Sequence, residues 1–297
     1  MRISSIDIGS NAVRQVIVEV KPQGLWIVLK KFRSPLRLGS DVFATGAIST
    51  EKADEMINAF KKMAKLEKKY KCDRSIALAT SAMRDAKNAK QLIQKIKSSS
   101  GIKIEVISGQ KEAQLIQNAI FKSYVINDPR VVLIDIGGGS AEFTFVEKEK
   151  ILSSQSFPLG VVRLKSILEK NKKPLAFTAK KYFQLMHKSS HLNKVDAIIG
   201  TGGNFDALAK LKVLLLKKTP STHLSDKELE QIKNIWKSLS YEKKLSLNIR
   251  PDRIDVLDYA IDLIQMTLAE FKVSKIKIPM TGLKEGAIFS VLTSSLR

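Results

Sequence analysis

The sequence of 297 residues is poor in features that define several common protein classes. It has a single cysteine, Cys72, which excludes an intrachain disulfide and any metal site built from cysteines alone. No apolar run approaches the ~18 residues that a membrane-spanning helix needs. Asp7 interrupts the apolar N-terminal stretch where a signal peptide would carry its hydrophobic region. We therefore expect a cytoplasmic protein with no membrane partner.

Aromatic residues are also scarce, at 6% of the chain, and no residue spacing matches a zinc-binding module. We therefore do not expect a nucleic-acid partner. Acidic residues are outnumbered, because 29 Asp and Glu face 51 Lys and Arg, and the formal net charge is +22. Such a charge attracts polyanions, for example polyphosphate or a highly phosphorylated nucleotide. A generally lysine-rich composition is the alternative explanation.

The most informative stretch covers residues 131–142 and reads VVLIDIGGGSAE. Its aliphatic start predicts a buried strand that delivers Asp135, and residues 143–146 predict a second strand. A glycine turn between two strands argues against a Walker loop or a dinucleotide-binding fingerprint, because both of those lead into a helix. Glycines let backbone N–H groups approach an anion closely, and Asp135 beside that anion would act through a metal ion or a water molecule. The candidate anion-binding residues of this turn are Gly137, Gly138, Gly139 and Ser140.

The same pattern occurs near the N-terminus. Residues 3–8 predict a strand that carries Asp7, and residues 12–20 predict a second strand after a short turn. The two aspartates lie 128 residues apart, which is a domain-sized spacing. This repetition predicts two related lobes that face one cleft, each with a phosphate-binding turn. The turn residues of the first copy are Gly9, Ser10 and Asn11.

A third glycine turn, at residues 200–204, leads directly into a predicted helix at 205–216. The free N–H groups and the positive dipole end of a helix N-terminus favour an anion. Gly202 and Gly203 are therefore candidate phosphate-binding residues. A tight turn without a ligand is the alternative.

Three charged residues are candidates for the chemistry, and each has a purely structural alternative. Arg84 follows a predicted strand, where its guanidinium would either bind phosphate or lie on the surface. Glu112 lies in the first turn of a predicted helix, where a carboxylate also complements the helix dipole. Glu142 alternates with Ala141 and Phe143 on a strand. If those two neighbours face the core, Glu142 faces the cleft; an exposed position is its alternative.

Six segments occur in a fixed order along the chain. They are DIGSN (7–11), ATSAMR (79–84) with Asn88, ISGQKEA (107–113), DIGGGSAE (135–142), GTGG (200–203) and GLKEG (282–286). Together they resemble the exopolyphosphatase/guanosine pentaphosphate phosphohydrolase family, Ppx/GppA, in its short two-domain form. That family lies within the sugar kinase–chaperone–actin (ASKHA) superfamily, and the resemblance spans nearly the whole chain.

The resemblance implies an α/β protein with two ribonuclease-H-like (actin-like) domains, mixed sheets and an interdomain cleft. It implies that Mg²⁺ or Mn²⁺ assists water in removing the terminal phosphate of inorganic polyphosphate or the 5′-γ-phosphate of pppGpp. The family's catalytic base falls on Glu112, and Glu142 would help to place the water or the metal. Asp7 and Asp135 correspond to the metal- and water-positioning aspartates, and Arg84 corresponds to a phosphate-binding arginine.

We predict domains at residues 1–127 and 128–297, with packing of the last helix on the first domain as an alternative. Within the first domain, residues 39–50 predict a loop. The chain departs from the family at Asn204, where members often have Thr, and at Lys284, where they often have Arg. Asp258-Tyr259 stands where Pro-Gly is usual. These departures leave the preference between polyphosphate and pppGpp open.

Two functions of other kinds remain as alternatives. One is a non-catalytic sensor that binds ppGpp or pppGpp, and the presence of Glu112 argues against it. The other is an ATP-dependent kinase or ATPase of the same superfamily, for which residues 204–210 give no clear adenosine pocket. Whether the protein forms a homodimer also stays open.

Overall fold

The structure, a computed structural model, describes residues 1–22, 25–171, 174–190 and 194–294. These residues form two compact units. Unit 1 comprises Met1–Leu115 and Leu283–Arg297, and unit 2 comprises Ile116–Gly282. The described part of each unit is built around a mixed sheet, which confirms the predicted α/β class.

The sheet of unit 1 has the strand order β3-β2-β1-β4-β5. The first three strands form an antiparallel meander, and β4 and β5 continue the sheet parallel to β1. The carboxyl ends of β1 and β4 therefore meet at one edge of the sheet. The strands are β1 (Arg2–Ile8), β2 (Val13–Val20), β3 (Trp26–Ser34), β4 (Arg74–Ala79) and β5 (Ile104–Val106). The helices are α1 (Leu38–Thr45), α2 (Thr50–Lys69), α3 (Ser81–Asp85), α4 (Ala89–Ser100), α5 (Gly109–Ser123) and, at the end of the chain, α12 (Leu283–Ser294).

Strand β1 is buried on both faces because its side chains alternate between two apolar clusters. Ile6 and Ile8 pack on one side with residues of α1–α4, including Phe60. Ile3 packs on the other side with Ile288 of α12. Each large apolar side chain buried in this way contributes roughly 1.5–3 kcal/mol. The strand that carries Asp7 is thus fixed from both sides.

The sheet of unit 2 has the order β10-β11-β9-β6-β7-β8 and repeats the plan of unit 1. Here β6, β7 and β8 form the antiparallel meander, and β9 lies parallel beside β6. The strands are β6 (Arg130–Ile136), β7 (Ala141–Glu147), β8 (Lys150–Phe157), β9 (Ala197–Thr201), β10 (His223–Ser225) and β11 (Lys275–Lys277). The helices are α6 (Val161–Asn171), α7 (Leu175–Ser190), α8 (Gly203–Leu216), α9 (Asp226–Ser238), α10 (Tyr241–Ser246) and α11 (Pro251–Phe271). None of the helices in the described part of the chain is long and apolar enough to cross a membrane.

The division into units differs from the predicted boundary between residues 127 and 128. The first segment of unit 1 ends inside α5, and unit 1 also includes α12. Besides the packing of Ile288, two polar and backbone contacts hold α12 there. The Ser5 hydroxyl donates to the Lys284 carbonyl at 3.2 Å, and Gly286 lies against the backbone of α5. A Cβ atom at Gly286 would be 2.1 Å from the Leu115 carbonyl oxygen. Sequence periodicity does not report such contacts between distant segments, and the boundary between residues 127 and 128 stays a prediction.

Helix α1 occupies the first part of residues 39–50, which were predicted as a loop, and that prediction was wrong for residues 39–45. The helix is short, and Leu38 and Val42 bury one turn of it. Arg37 precedes it in the left-handed conformation, with φ 51°, and provides no side-chain cap. A helix with neither a long apolar repeat nor a capping residue gives little local signal.

Asn88 acts as a clamp between two segments of unit 1. Its Oδ1 accepts a hydrogen bond from the Ile48 N–H at 3.0 Å, and its Nδ2 donates to the Ile48 carbonyl at 2.7 Å. One amide side chain thereby satisfies both polar groups of a backbone residue between α1 and α2. This pairing gives a structural reason for an asparagine four residues after the ATSAMR segment.

We expect Asn88→Ala to lower the free energy of unfolding by about 1–3 kcal/mol, because both Ile48 backbone groups would lose their partner. Asn118→Ala, on an exposed position of α5, is the matched control and should change stability by no more than about 0.5 kcal/mol. Urea denaturation followed by circular dichroism measures both. Equal effects of the two substitutions would show that the clamp adds nothing to stability.

Candidate functional site

The turn after β1 is held by the start of α1. The Gly9 N–H donates to the Ala12 carbonyl at 3.1 Å and closes the turn. The carbonyls of Ser10 and Asn11 accept hydrogen bonds from the N–H groups of Gly39 and Arg37, at 2.8 and 3.0 Å. The helix start therefore binds the turn through the carbonyl side of the turn's peptides.

The turn after β6 has the same construction. The Gly137 N–H donates to the Ser140 carbonyl at 2.9 Å. The Gly137 carbonyl accepts from the Val161 N–H at 3.0 Å, and the Gly138 carbonyl accepts from the Val162 N–H at 2.8 Å. The C=O and N–H groups of a trans peptide point in opposite directions, so the N–H groups that follow these carbonyls point away from α6. Among the described residues, the N–H groups of Gly138 and Gly139 donate to no backbone acceptor, so this face of the turn suits an anion.

Each turn is approached closely by a glycine at the start of the helix that holds it. A Cβ atom at Gly39 would lie 2.9 Å from the Cβ of Ser10, and one at Gly160 would lie 2.3 Å from the backbone of Gly139. Both glycines follow a leucine in the sequence. This repeated Leu-Gly pair marks the two equivalent helix starts, and the reading of the sequence missed its meaning.

A charged pair faces across the strands at the corresponding position of each unit. In unit 1, Asp7 lies directly opposite Arg14, and the Arg14 guanidinium donates to the Asp7 carboxylate at 2.9 Å. In unit 2, Asp135 lies directly opposite Glu142. Both pairs are seven residues apart in the chain. The duplicated hairpins thus carry Asp–Arg in one copy and Asp–Glu in the other, and Arg14 is a site residue that sequence reasoning did not select.

The pair in unit 2 offers two carboxyl groups to a cation. Like charges that lie directly opposite on neighbouring strands destabilise a sheet, and a divalent cation would relieve the repulsion between Asp135 and Glu142. No three His, Cys, Asp or Glu side chains of the described residues cluster closely enough to hold a metal. Mg²⁺ commonly uses one or two carboxylates together with waters and substrate phosphates, so this pair fits such an ion. Asp7 is balanced by Arg14 instead, and its role as a metal ligand stays a prediction.

Glu142 is buried, with only 2% of its surface exposed, so the alternative of a solvent-facing strand residue was wrong. Its Oε1 accepts a hydrogen bond from the Ser156 hydroxyl at 2.8 Å. That bond fixes the carboxylate on the β7–β8 side. A catalytic contribution from Glu142 stays a prediction.

The third glycine turn packs against Asp135. The Thr201 hydroxyl donates to Asp135 Oδ1 at 3.1 Å. Gly202 has φ 84°, and a Cβ atom there would lie 2.2 Å from the same oxygen. Gly202 is therefore required both by its backbone conformation and by the carboxylate beside it. Direct phosphate binding by Gly202 and by Gly203, the first residue of α8, stays a prediction.

Asn204, one of the departures from the family pattern, has a structural function in this turn. Its Nδ2 donates to the Ile136 carbonyl at 2.6 Å, and its Oδ1 accepts from the Arg253 guanidinium. Both residues are almost fully buried. The side chain of Asn204 thus ties α8 to the end of β6, immediately before the glycine turn.

Glu112 and Arg84 form a partly buried ion pair in unit 1. The Nη1 atom of Arg84 donates to Glu112 Oε2 at 2.9 Å and to the Ile107 carbonyl at 2.9 Å. Glu112 is only 6% exposed. Burial raises the pKa of Glu112 from its ordinary value of 4.5 to about 7, against the opposing effect of the Arg84 charge, and the charge of Asp7 adds to the rise.

A base works best when its pKa lies near the working pH, and the role of Glu112 as the base stays a prediction. In unit 1, Arg84 contacts Glu112, and Asp7 lies close enough for its charge to raise the pKa of Glu112. Arg84 was predicted to bind phosphate directly. Its guanidinium instead contacts Glu112 and a backbone carbonyl, and its phosphate role stays a prediction.

A model of the Ppx/GppA phosphatase family matches residues 16–295. The chain belongs to this family. The match confirms the resemblance carried by the six segments of the sequence. The matched residues include the glycine turn after β6 and most of both sheets.

The chain is similar to several known members. Exopolyphosphatase 1 of Mycobacterium bovis is 30% identical over 164 residues, which cover 55% of this chain and 48% of that protein. The chain thus spans about half the length of the curated relatives it matches first. A crystal structure of an exopolyphosphatase from Cytophaga hutchinsonii has a TM-score of 0.87 and 25% identity, covering 99% of this chain and 98% of that one. The Ppx/GppA family member of Aquifex aeolicus has a TM-score of 0.78 and 28% identity, over 100% and 99% of the two chains.

The raised pKa of Glu112 predicts a pH-dependent difference in stability between the wild type and Glu112→Gln. The folded-state pKa of about 7 lies above the ordinary value of 4.5. The protonated carboxyl therefore stabilises the fold fully below pH 4.5, and this contribution is lost as the pH rises through 7. The variant stays neutral throughout. We expect the melting temperature of the wild type to fall relative to that of Glu112→Gln between pH 5 and pH 8.

Glu105→Gln, at an exposed position of β5, removes the same charge outside the ion pair and serves as the control. Its melting temperature should keep a constant offset from the wild type over this pH range. A constant offset for Glu112→Gln as well would mean that Glu112 ionises at an ordinary pKa.

Proposed function

We propose that this protein removes terminal orthophosphate from inorganic polyphosphate by attack of water on the last phosphoanhydride, with Glu112 as the general base. The observation that carries the proposal is the ion pair of the buried Glu112 with Arg84, in which the carboxyl group has a pKa of about 7. Membership of the Ppx/GppA phosphatase family and the likeness to the Cytophaga exopolyphosphatase support the substrate class.

Each of these residues has a separate role in the proposed reaction. Glu112 orients the water and accepts its proton. The backbone N–H groups of the turns after β1 and β6 bind phosphate oxygens, as preorganised donors do for developing negative charge. Mg²⁺ or Mn²⁺, held through Asp135 and Glu142, would neutralise charge on the phosphate oxygens when it is bound. Asp7, with its partner Arg14, adds a further charged pair beside the first turn.

The same chemistry applies to the 5′-γ-phosphate of pppGpp, because that bond is also a terminal phosphoanhydride. A sensor that only binds ppGpp or pppGpp would not need a buried carboxyl group with a pKa near 7. An ATP-dependent kinase would transfer the phosphate to an acceptor instead of water. Release of orthophosphate from polyphosphate with a divalent cation, in the absence of ATP and an acceptor, excludes both alternatives. A homodimer stays a prediction.

We expect Glu112→Gln to slow the hydrolysis of polyphosphate by about 10²–10⁴-fold, the usual contribution of a general base. Polyphosphate affinity should hold or increase, since a negative charge leaves an anion-binding site. The acidic limb of kcat/KM near pH 7 should disappear in the residual activity, whereas a limb due to the substrate's own phosphate would remain. Glu105→Gln is the control and should keep wild-type turnover. Near-normal turnover of Glu112→Gln would show that another residue is the general base.

The net charge of +22 predicts how salt affects the two substrates. A long polyphosphate contacts more lysines and arginines than pppGpp does, and salt screens such contacts beyond ~8–10 Å at ordinary ionic strength. We expect KM for long-chain polyphosphate to rise more steeply with salt concentration than KM for pppGpp. Equal slopes would show that the excess charge reflects composition and not substrate capture.

A further inference from the structure

The glycine turn of unit 2 has one carbonyl that is held by a side chain. Arg163, the third residue of α6, donates from Nε to the Gly139 carbonyl at 2.7 Å. Its backbone N–H donates to the Gly138 carbonyl at 3.1 Å. We propose that Arg163 is a positioning residue that fixes the Gly139–Ser140 peptide so that its N–H faces the bound phosphate. The proposal rests on the proposed function of this turn as an anion site.

The turn is held from the side of α6. The carbonyls of Gly137 and Gly138 are bound by backbone N–H groups of α6, which no side-chain substitution removes. The Gly139 carbonyl is bound on the same side by the Arg163 side chain. Because C=O and N–H are opposed in a trans peptide, this third bond directs the Ser140 N–H to the same face as the N–H groups of Gly138 and Gly139.

A glycine peptide needs such a restraint more than other peptides do. Glycine populates backbone conformations on both sides of φ zero, so the Gly139–Ser140 peptide has little intrinsic preference for one orientation. Rotation of this peptide would turn the Ser140 N–H away from the anion. A charge-assisted hydrogen bond to the carbonyl is about twice as strong as a neutral one, and it also polarises the peptide, which strengthens the N–H as a donor.

The positive charge of Arg163 would attract phosphate even without this bond, so the two effects must be separated. Lys165 is the control position for the loss of charge. It lies on the same helix and pairs with Glu169 at 2.6 Å. Arg163→Met and Lys165→Met each remove one positive charge from α6. Arg163→Gln removes the charge but keeps an N–H donor, because the Gln Nε2 occupies the same chain position as the Arg Nε.

The experiment titrates inorganic phosphate into each variant and into the wild type. Affinity is measured by calorimetry, and the N–H resonances of Gly138, Gly139 and Ser140 are followed by ¹⁵N NMR. We expect Arg163→Met to weaken phosphate binding at least about tenfold, the usual effect of losing a charge-assisted hydrogen bond, and to lose the phosphate-induced shift of Ser140. Arg163→Gln should bind within about threefold of Lys165→Met and keep that shift.

Three outcomes would overturn the proposal. Arg163→Met and Lys165→Met could weaken binding equally, which would leave only long-range charge. Arg163→Met could leave phosphate binding unchanged. Arg163→Gln could lose the phosphate-induced shift of Ser140 although it keeps an N–H donor. If Arg163→Met does not fold, the comparison of Arg163→Gln with Lys165→Met still tests the proposal. Because the readout is phosphate binding, failure of the positioning role is distinguishable from failure of the hydrolytic function, which turnover of the wild type tests.

Discussion

The arrangement of both candidate anion sites depends on hydrogen bonds from the N-terminal ends of two helices to the carbonyl groups of the turns beside them. The start of α1 binds the carbonyls of the turn after β1, and the start of α6 does the same for the turn after β6. This fixes the orientation of the peptides before any ligand arrives, so little reorganisation is needed on binding. The helix dipoles are used indirectly, since their terminal N–H groups polarise the peptides of the turn and leave the turn to contact the anion.

Glu112 and Asp135 are two carboxyl groups in different surroundings. For Glu112, burial outweighs an ion pair with Arg84 that would otherwise keep the group ionised. For Asp135, neighbouring groups constrain the side chain closely, because Thr201 donates to it and Gly202 leaves room for it. The first environment suits a group that must gain and lose a proton. The second suits a group that must hold its charge in a fixed place.

The two aspartate turns were predictable from the sequence because strand, turn and strand are adjacent in the chain and have strong local patterns. The burial of Glu112 was not, because the segments that surround it come from β1, α3 and the start of α5. Resemblance to a family pointed to Glu112, whereas helix-dipole reasoning alone favoured an ordinary surface role. The charged residue seven positions after each aspartate, which is Arg14 or Glu142, and the paired Leu-Gly helix starts were visible as repeats between the two halves. Their meaning required the strand register and the helix contacts.

Helix α12 has a consequence for the order in which the protein is made. Unit 2 is one continuous stretch of chain, but unit 1 needs α12 from the last residues to cover one face of its sheet. Domains usually fold in sequence order as they leave the ribosome. Here the segment made first cannot bury that face until the final helix has been synthesised. The nascent N-terminal sheet therefore lacks the α12 cover over Ile3, Val16 and Val18 throughout the translation of unit 2.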